Sequence, residues 1–337
     1  MTTVLEQRYR TVLRLLPSYY RAEREEEMVE TYLHGIDEQH RDEMRPAWGE
    51  VASIAALAIR TRMGAAGAPA RYATLGATVR LFALLSMLLH AASALTERAL
   101  LLTWVKGAPA QDRELFLGGF TGHGAVQGLY EAASWLLPLA WAVAYLALLR
   151  DHRRTAFVFA VLAALPDLAS LMRHAGGGPD TEVVSLWLTT AVFSWLTVLA
   201  LCCGFHRDAP PARLPLASPG LALMGTCVLM GASIVVWPGV ADPGWAGGSA
   251  FIAAAAVWLV VRCRSPKHVA DPALPLALAT LGLAILVQRI PIVAFPAQNA
   301  PGSVIAAATV QAGIIVVLAA ALTTTGTRSL TVRFRSG

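Results

Sequence analysis

Five ionisable side chains stand where ionisation is costly. Glu97 and Arg98 fall late in one apolar stretch, Glu131 opens the next, Asp167 follows Pro166 in a third, and Arg289 follows Gln288 just before Pro291. A charge at mid-bilayer costs about 2.5–3.5 kcal/mol on insertion scales, so each needs a partner, water or a ligand. Two chemistries fit these residue types. In the first, the five line an outward-facing polar vestibule, Asp167 pairs with Arg98 or Arg289, and Pro166 and Pro291 free carbonyls for a ligand, as in broken transporter helices. In the second, they satisfy one another as structural pairs or snorkel to the interface. Asp167, about 18 Å along its helix from the inner end, is the deepest. His90 precedes Glu97 on the same helical face, either as part of a proton relay or as a histidine packed among neighbouring helices.

Other chemistry is poorly served. The chain has no His-Glu-x-x-His, no Gly-x-Ser-x-Gly and no intramembrane Gly-x-Gly-Asp, and its histidines are scattered. Cys202, Cys203, Cys227 and Cys263 sit within or at the ends of apolar runs, with no Cys-x-x-Cys pair, and read as buried thiols. Lys106 and Lys267 are the only lysines, and neither lies in a phosphate-cradling Gly-Lys-Ser/Thr loop. No catalytic residue, metal or cofactor is expected. An ATP-driven role would need the ATPase on a separate chain.

The elements that must position the five charges follow from composition. Of 337 residues, 56% are hydrophobic and 15% charged, with a mean hydropathy of +0.54, against about a quarter charged in soluble domains. Eight apolar stretches recur at about 81–104, 130–149, 155–173, 182–203, 219–237, 246–261, 273–294 and 303–323. A bilayer core of ~30 Å needs about 20 helical residues, and only the sixth stretch is short. Lipid offers no partner to open backbone, so each span should be helical.

Charge sets the orientation. With the N-terminus inside, the inner loops and tail hold Arg150, Arg153, Arg154, Arg207, Arg213, Arg262, Arg264, Lys267, Arg328, Arg333 and Arg335. The outer loops hold Lys106, Arg113 and Arg173. Eleven against three places both termini in the cytoplasm by the positive-inside rule. Trp104, Trp237 and Trp245 fall at outer interfaces. The outer segment 105–129 is long, and either lies on the membrane surface or is an ordinary loop. The net charge of +5 is spread over loops rather than gathered on one face, which argues against direct nucleic-acid binding.

Residues 1–66 read differently. Val4, Leu5, Tyr9, Val12, Leu13 and Leu16 share one helical face, and Pro17 and Ser18 start a second helix with Met28, Val29, Tyr32 and Leu33 as its stripe. A third runs from about Pro46 to Met63, carrying Trp48, Val51, Ile54, Ala55, Ala58 and Ile59 and closed by Gly64, Gly67 and Pro69. Three amphipathic helices can bury these stripes together. The division is a helical domain at 1–66, a linker at 67–80, spans over 81–323 and a cytoplasmic tail at 324–337.

Within the first domain, Leu15-Leu16-Pro17, Tyr20-Arg21 and Glu26-Glu27-Met28 resemble the start of the HAAS or permease-prefix helical domain, which precedes membrane regions in many bacterial proteins, transporter permeases among them. Glu25 stands where that pattern usually has glycine, and favours continuous helix. The resemblance implies a bacterial inner-membrane protein with a PadR-like regulator as cytoplasmic partner, whereas a permease role would take an ATPase subunit instead. Arg21, Glu26, Glu27 and Met28 are the partner-binding candidates, with a solvated charged face as the alternative. The expected fold is all-α, an eight-span bundle behind a three-helix domain. The expected function is a signalling or regulatory adaptor, with a transporter's permease subunit as the alternative.

Overall fold

The computed structural model describes residues 4–34, 46–64, 67–122, 124–175, 181–206, 209–214, 218–264, 271–295 and 301–335. Among these residues every regular element is helical. Arg207 and Lys267, counted above among the inner charges, lie outside them.

The chain divides into two units, and the first comprises Met1–Val79 with Cys203–Ala209. Its helices are α1 (Val4–Leu13), α2 (Ser18–His34) and α3 (Trp48–Arg62), followed by the start of α4 (Ala70–Gly107). Pro17 opens α2: having no N–H to leave unpaired, it accepts from the amides of Tyr20 and Arg21 at 3.1 Å. The anticipated stripes meet in a core of Tyr9, Leu13, Leu16, Val29, Ile54 and Ala58, with Tyr9 and Tyr32 stacked at 4.0 Å. Trp48, assigned to that stripe by periodicity, is instead 89% exposed at the first turn of α3. Helix α2 runs unbroken through Glu25. Gly64 adopts φ +82, and a Cβ there would lie 2.8 Å from the Cα of Ala73, so the turn into α4 requires glycine.

Two segments placed outside the expected helices are themselves helical. The linker at 67–80 is helical from Ala70, because Pro69 starts a helix rather than ending one; its carbonyl accepts from Tyr72 at 2.9 Å. The tail at 324–337 continues as helix to Arg335 within α13 (Gly302–Arg335).

The second unit, Arg80–Cys202 with Pro210–Gly337, holds the rest of α4 and then α5 (Ala110–Thr121), α6 (Ala125–Leu136), α7 (Ala140–Leu149), α8 (Arg153–Ala175), α9 (Thr181–Gly204), α10 (Pro219–Val236), α11 (Trp245–Arg264), α12 (Ala273–Ala294) and α13. Among the described residues, eight helical segments are long and apolar enough to cross a bilayer, with α6 and α7 forming one of them. The chain is a multi-pass membrane protein. The short sixth stretch is the full 20-residue α11, and the long segment 105–129 folds largely into α5 and the first turn of α6.

Valines 228, 235, 257, 310 and 317 are more than half exposed, a penalty in water but the ordinary lipid face of a membrane bundle. Helix α4 is the most enclosed span. Elsewhere small residues let helices approach: a Cβ on Gly282 would lie 2.5 Å from the ring of Phe251.

In the first unit, Arg10 clamps Glu26 with two hydrogen bonds of 2.8 Å and reaches Glu6 at 3.0 Å. The hydrogen bonds from Arg10 hold the Glu26 carboxyl below the usual carboxylate range. A depressed carboxylate contributes stability above its unfolded pKa and loses it as pH falls through the folded value. Glu26→Gln is therefore expected to melt lower than the parent at neutral pH and to converge with it in acid, as read by thermal unfolding of the full chain.

Candidate functional site

Helix α4 places His90, Glu97 and Arg98 against a cavity of about 360 Å³, which Asp167 and Pro166 from α8 also line. Further lining comes from Ser134, Trp141, Trp187, Thr190 and Phe193, and from Gly244 and Gln288. Three of the five expected charges thus share one cavity. Glu131 and Arg289 are not part of its lining.

The pairings differ from those expected. Asp167 accepts a hydrogen bond from the Ser194 hydroxyl on α9, and no cation stands within ion-pair distance of it among the described residues. Arg98 is engaged elsewhere. Its Nη1 meets Glu97 at 2.9 Å, its Nε donates to the Trp135 carbonyl and its Nη2 to the Ser134 carbonyl, both at 3.1 Å.

The reason lies in Pro138. The second span is interrupted by a short 3-10 turn, Leu137–Leu139, between α6 and α7. Proline lacks the N–H that would have bonded the carbonyl of Ser134 four residues earlier. The Arg98 guanidinium supplies the missing donor. The break falls at Pro138, whereas α8 and α12 run through Pro166 and Pro291 as continuous helix.

Arg289 neither snorkels nor pairs with Asp167. It is 1% exposed, and donates to Asp242 in the connection between α10 and α11 and to the Oε1 of Gln311 on α13. Asp242 also accepts from the Gly244 amide at 2.8 Å, while Gln311 donates to the Trp245 carbonyl and the Ser249 hydroxyl, each at 3.1 Å. The network joins α11, α12 and α13 behind the cavity wall. Gly244 both lines the cavity and touches Arg289: a Cβ there would lie 2.7 Å from Nη1. Asp242 and Gln311 were missed by the sequence reading. The available signal was that Gln311 is a lone amide in an apolar run, which needs a buried partner as much as Arg289 does.

Glu131 belongs to a clasp between α6 and α8. It accepts from Gln127 at 2.6 Å and lies 4.0 Å from Arg173, whose guanidinium sits 3.5 Å over the ring of Tyr130. The Tyr130 and Ser170 hydroxyls are 3.0 Å apart. His90 is packed rather than relaying: its ring stacks on Trp141 and tilts against Phe193, both at 4.6 Å, with the Thr197 hydroxyl 3.3 Å from Nε2.

Of the partner-binding candidates, Glu26 is tied to Arg10 and Arg21 stands 4.0 Å from Glu25. Met28 packs against the core. Glu27 is exposed. A groove of about 410 Å³ beside them is lined by Glu6, Arg10, Glu26, Val29, Glu30 and Leu33. No family of known proteins, no curated protein and no solved structure matches this chain, so its site stands on its own residues.

Proposed function

We propose that the chain is a regulatory adaptor of the bacterial inner membrane, with both termini cytoplasmic, in which the state of the membrane cavity is coupled to what the N-terminal helices bind. One observation supports this most directly. Helix α4 runs without interruption from Ala70 to Gly107, about 57 Å at helical rise. Its first turn carries Tyr72, whose ring lies 5.3 Å from Tyr19 of α2, and its later turns carry His90, Glu97 and Arg98 of the cavity. A shift or rotation of one continuous helix is a physical means of joining two sites, provided a ligand discriminates between its positions.

The partner proposed is a PadR-like regulator, on the resemblance of residues 15–28 to the permease-prefix type of domain, with the acidic groove of α1 and α2 and the exposed Glu27 as its contact face. Nucleic acid is then met by the partner rather than by this chain. Affinity capture of the full-length protein, beside a form lacking residues 1–66, tests the reading. A DNA-binding regulator recovered only with the full-length chain is the expected result. A stoichiometric ATPase, recovered with or without those residues, would replace the adaptor with a permease subunit.

A further inference from the structure

Building on the adaptor reading, we propose that the cavity between α4, α8 and α9 binds a small organic cation, an alkylated or primary ammonium, with its charge against Asp167 and its carbon groups against the aromatic wall.

The charges decide the sign of the ligand. Around the cavity, Arg98 is engaged by Glu97 and by the carbonyls of Ser134 and Trp135, and behind its wall Arg289 is engaged by Asp242 and Gln311. These cations are each matched by a carboxylate. Asp167 is met by one hydroxyl, that of Ser194. The remaining formal charge is negative and sits on the α8 wall. An anion would meet repulsion there, since both guanidiniums are already committed.

The walls decide the class. A bare metal ion needs several oxygen ligands closing around it, and among the described residues no group of three or more His, Cys, Asp or Glu side chains can hold one. Instead the walls hold Trp141, Trp187 and Phe193 beside hydroxyl groups such as Thr190. Aromatic rings attract cations through their quadrupole and bury the alkyl groups of an ammonium. Hydroxyls and the Gln288 amide oxygen can accept its N–H groups where it has them. A volume of about 360 Å³ falls within the range of about 300–1,000 Å³ usual for small-molecule sites, and far exceeds what a dehydrated inorganic ion would fill.

The test titrates benzyltrimethylammonium into the purified full-length protein in phosphatidylglycerol nanodiscs, read by tryptophan fluorescence. Saturable quenching is expected, with benzenesulfonate giving none and benzyl alcohol at least about tenfold weaker binding. Asp167→Asn is expected to weaken the cation about tenfold or more, and Asp167→Glu to recover part of the loss. Repeating the titration with phosphatidylethanolamine in the disc identifies the source. Competition by that lipid assigns the site to an amine headgroup, and an unchanged affinity assigns it to a free cation. Absence of saturable binding, binding of benzenesulfonate equal to that of the cation, or an Asp167→Asn protein that binds as the parent does would overturn the proposal. The charge series uses the unaltered chain, so it decides even where a variant fails to fold. Partner capture is run without added cation, so the adaptor reading stands or falls separately.

Discussion

Exchanging Arg289 for methionine is expected to destabilise the membrane bundle by about 3–5 kcal/mol, the usual consequence of leaving one member of a buried ion pair alone. Arg289 is 1% exposed and the side chain of Asp242 is 5% exposed. Neither water nor headgroups can replace the lost guanidinium. Gln311 would lose its acceptor role as well, while still holding Trp245 and Ser249 through its amide nitrogen. The double variant Arg289→Met, Asp242→Leu is expected to recover most of the loss, because an apolar pair of similar volume removes both desolvation costs together. Denaturant titration of the purified protein, single variants beside the double, gives the coupling energy. Additive losses would mean that the pair does not act as a unit.

The second large effect belongs to Arg98. Arg98→Met is expected to cost about 2–3 kcal/mol, since the half-buried carbonyls of Ser134 and Trp135 lose charged donors. Arg98→Lys should recover part of this, because an ammonium cannot span both carbonyls and Glu97 in the planar geometry of a guanidinium. The loss should be smaller in a Pro138→Ala background. An amide at that position can bond the Ser134 carbonyl and close the gap in the helix. Thermal unfolding of Arg98→Met, introduced into the parent chain and into the Pro138→Ala variant, reads this directly. Equal losses in the two would show that Arg98 is not acting on the proline break.

Much of the fold was legible because its signals are local. Helical periodicity put Tyr9, Leu13 and Leu16 on one face, and the same residues form the first unit's core. The lengths of the apolar stretches indicated eight spans, since lipid permits few alternatives to helix. Pro69 misled because proline ends one helix and begins the next with equal readiness, and only the chain's route past Gly64 distinguishes the two. Trp48 misled for a different reason: periodicity tells which residues share a face, and the first turn of a helix can extend beyond the surface it packs on.

The candidate site was legible as a set of residues and illegible as a set of pairs. Glu97, Arg98 and Asp167 were marked by the cost of charge in lipid, and they do share a cavity. Their partners were not marked. Asp242 lies 47 positions before Arg289, in a Pro-Gly turn where an aspartate has an obvious local use. Ser194 and Gln311 carry no formal charge, and a hydroxyl or amide in a span can satisfy itself in many ways. Arg98 was read as a candidate partner for Asp167, yet a proline break on a neighbouring helix offers it two carbonyls, and such a break becomes visible only once the helices are side by side.

Thiol accessibility in intact cells most directly tests the proposed orientation, in which the membrane cavity opens outward and the N-terminal helices stand in the cytoplasm. The four native cysteines are replaced by alanine, and Thr190 in the cavity or Ser53 on α3 is changed to cysteine. An impermeant maleimide applied outside should label Thr190→Cys and be blocked by benzyltrimethylammonium, and should reach Ser53→Cys only after permeabilisation. Labelling of Ser53→Cys in sealed cells, or of Thr190→Cys only from the cytoplasmic side, would contradict it.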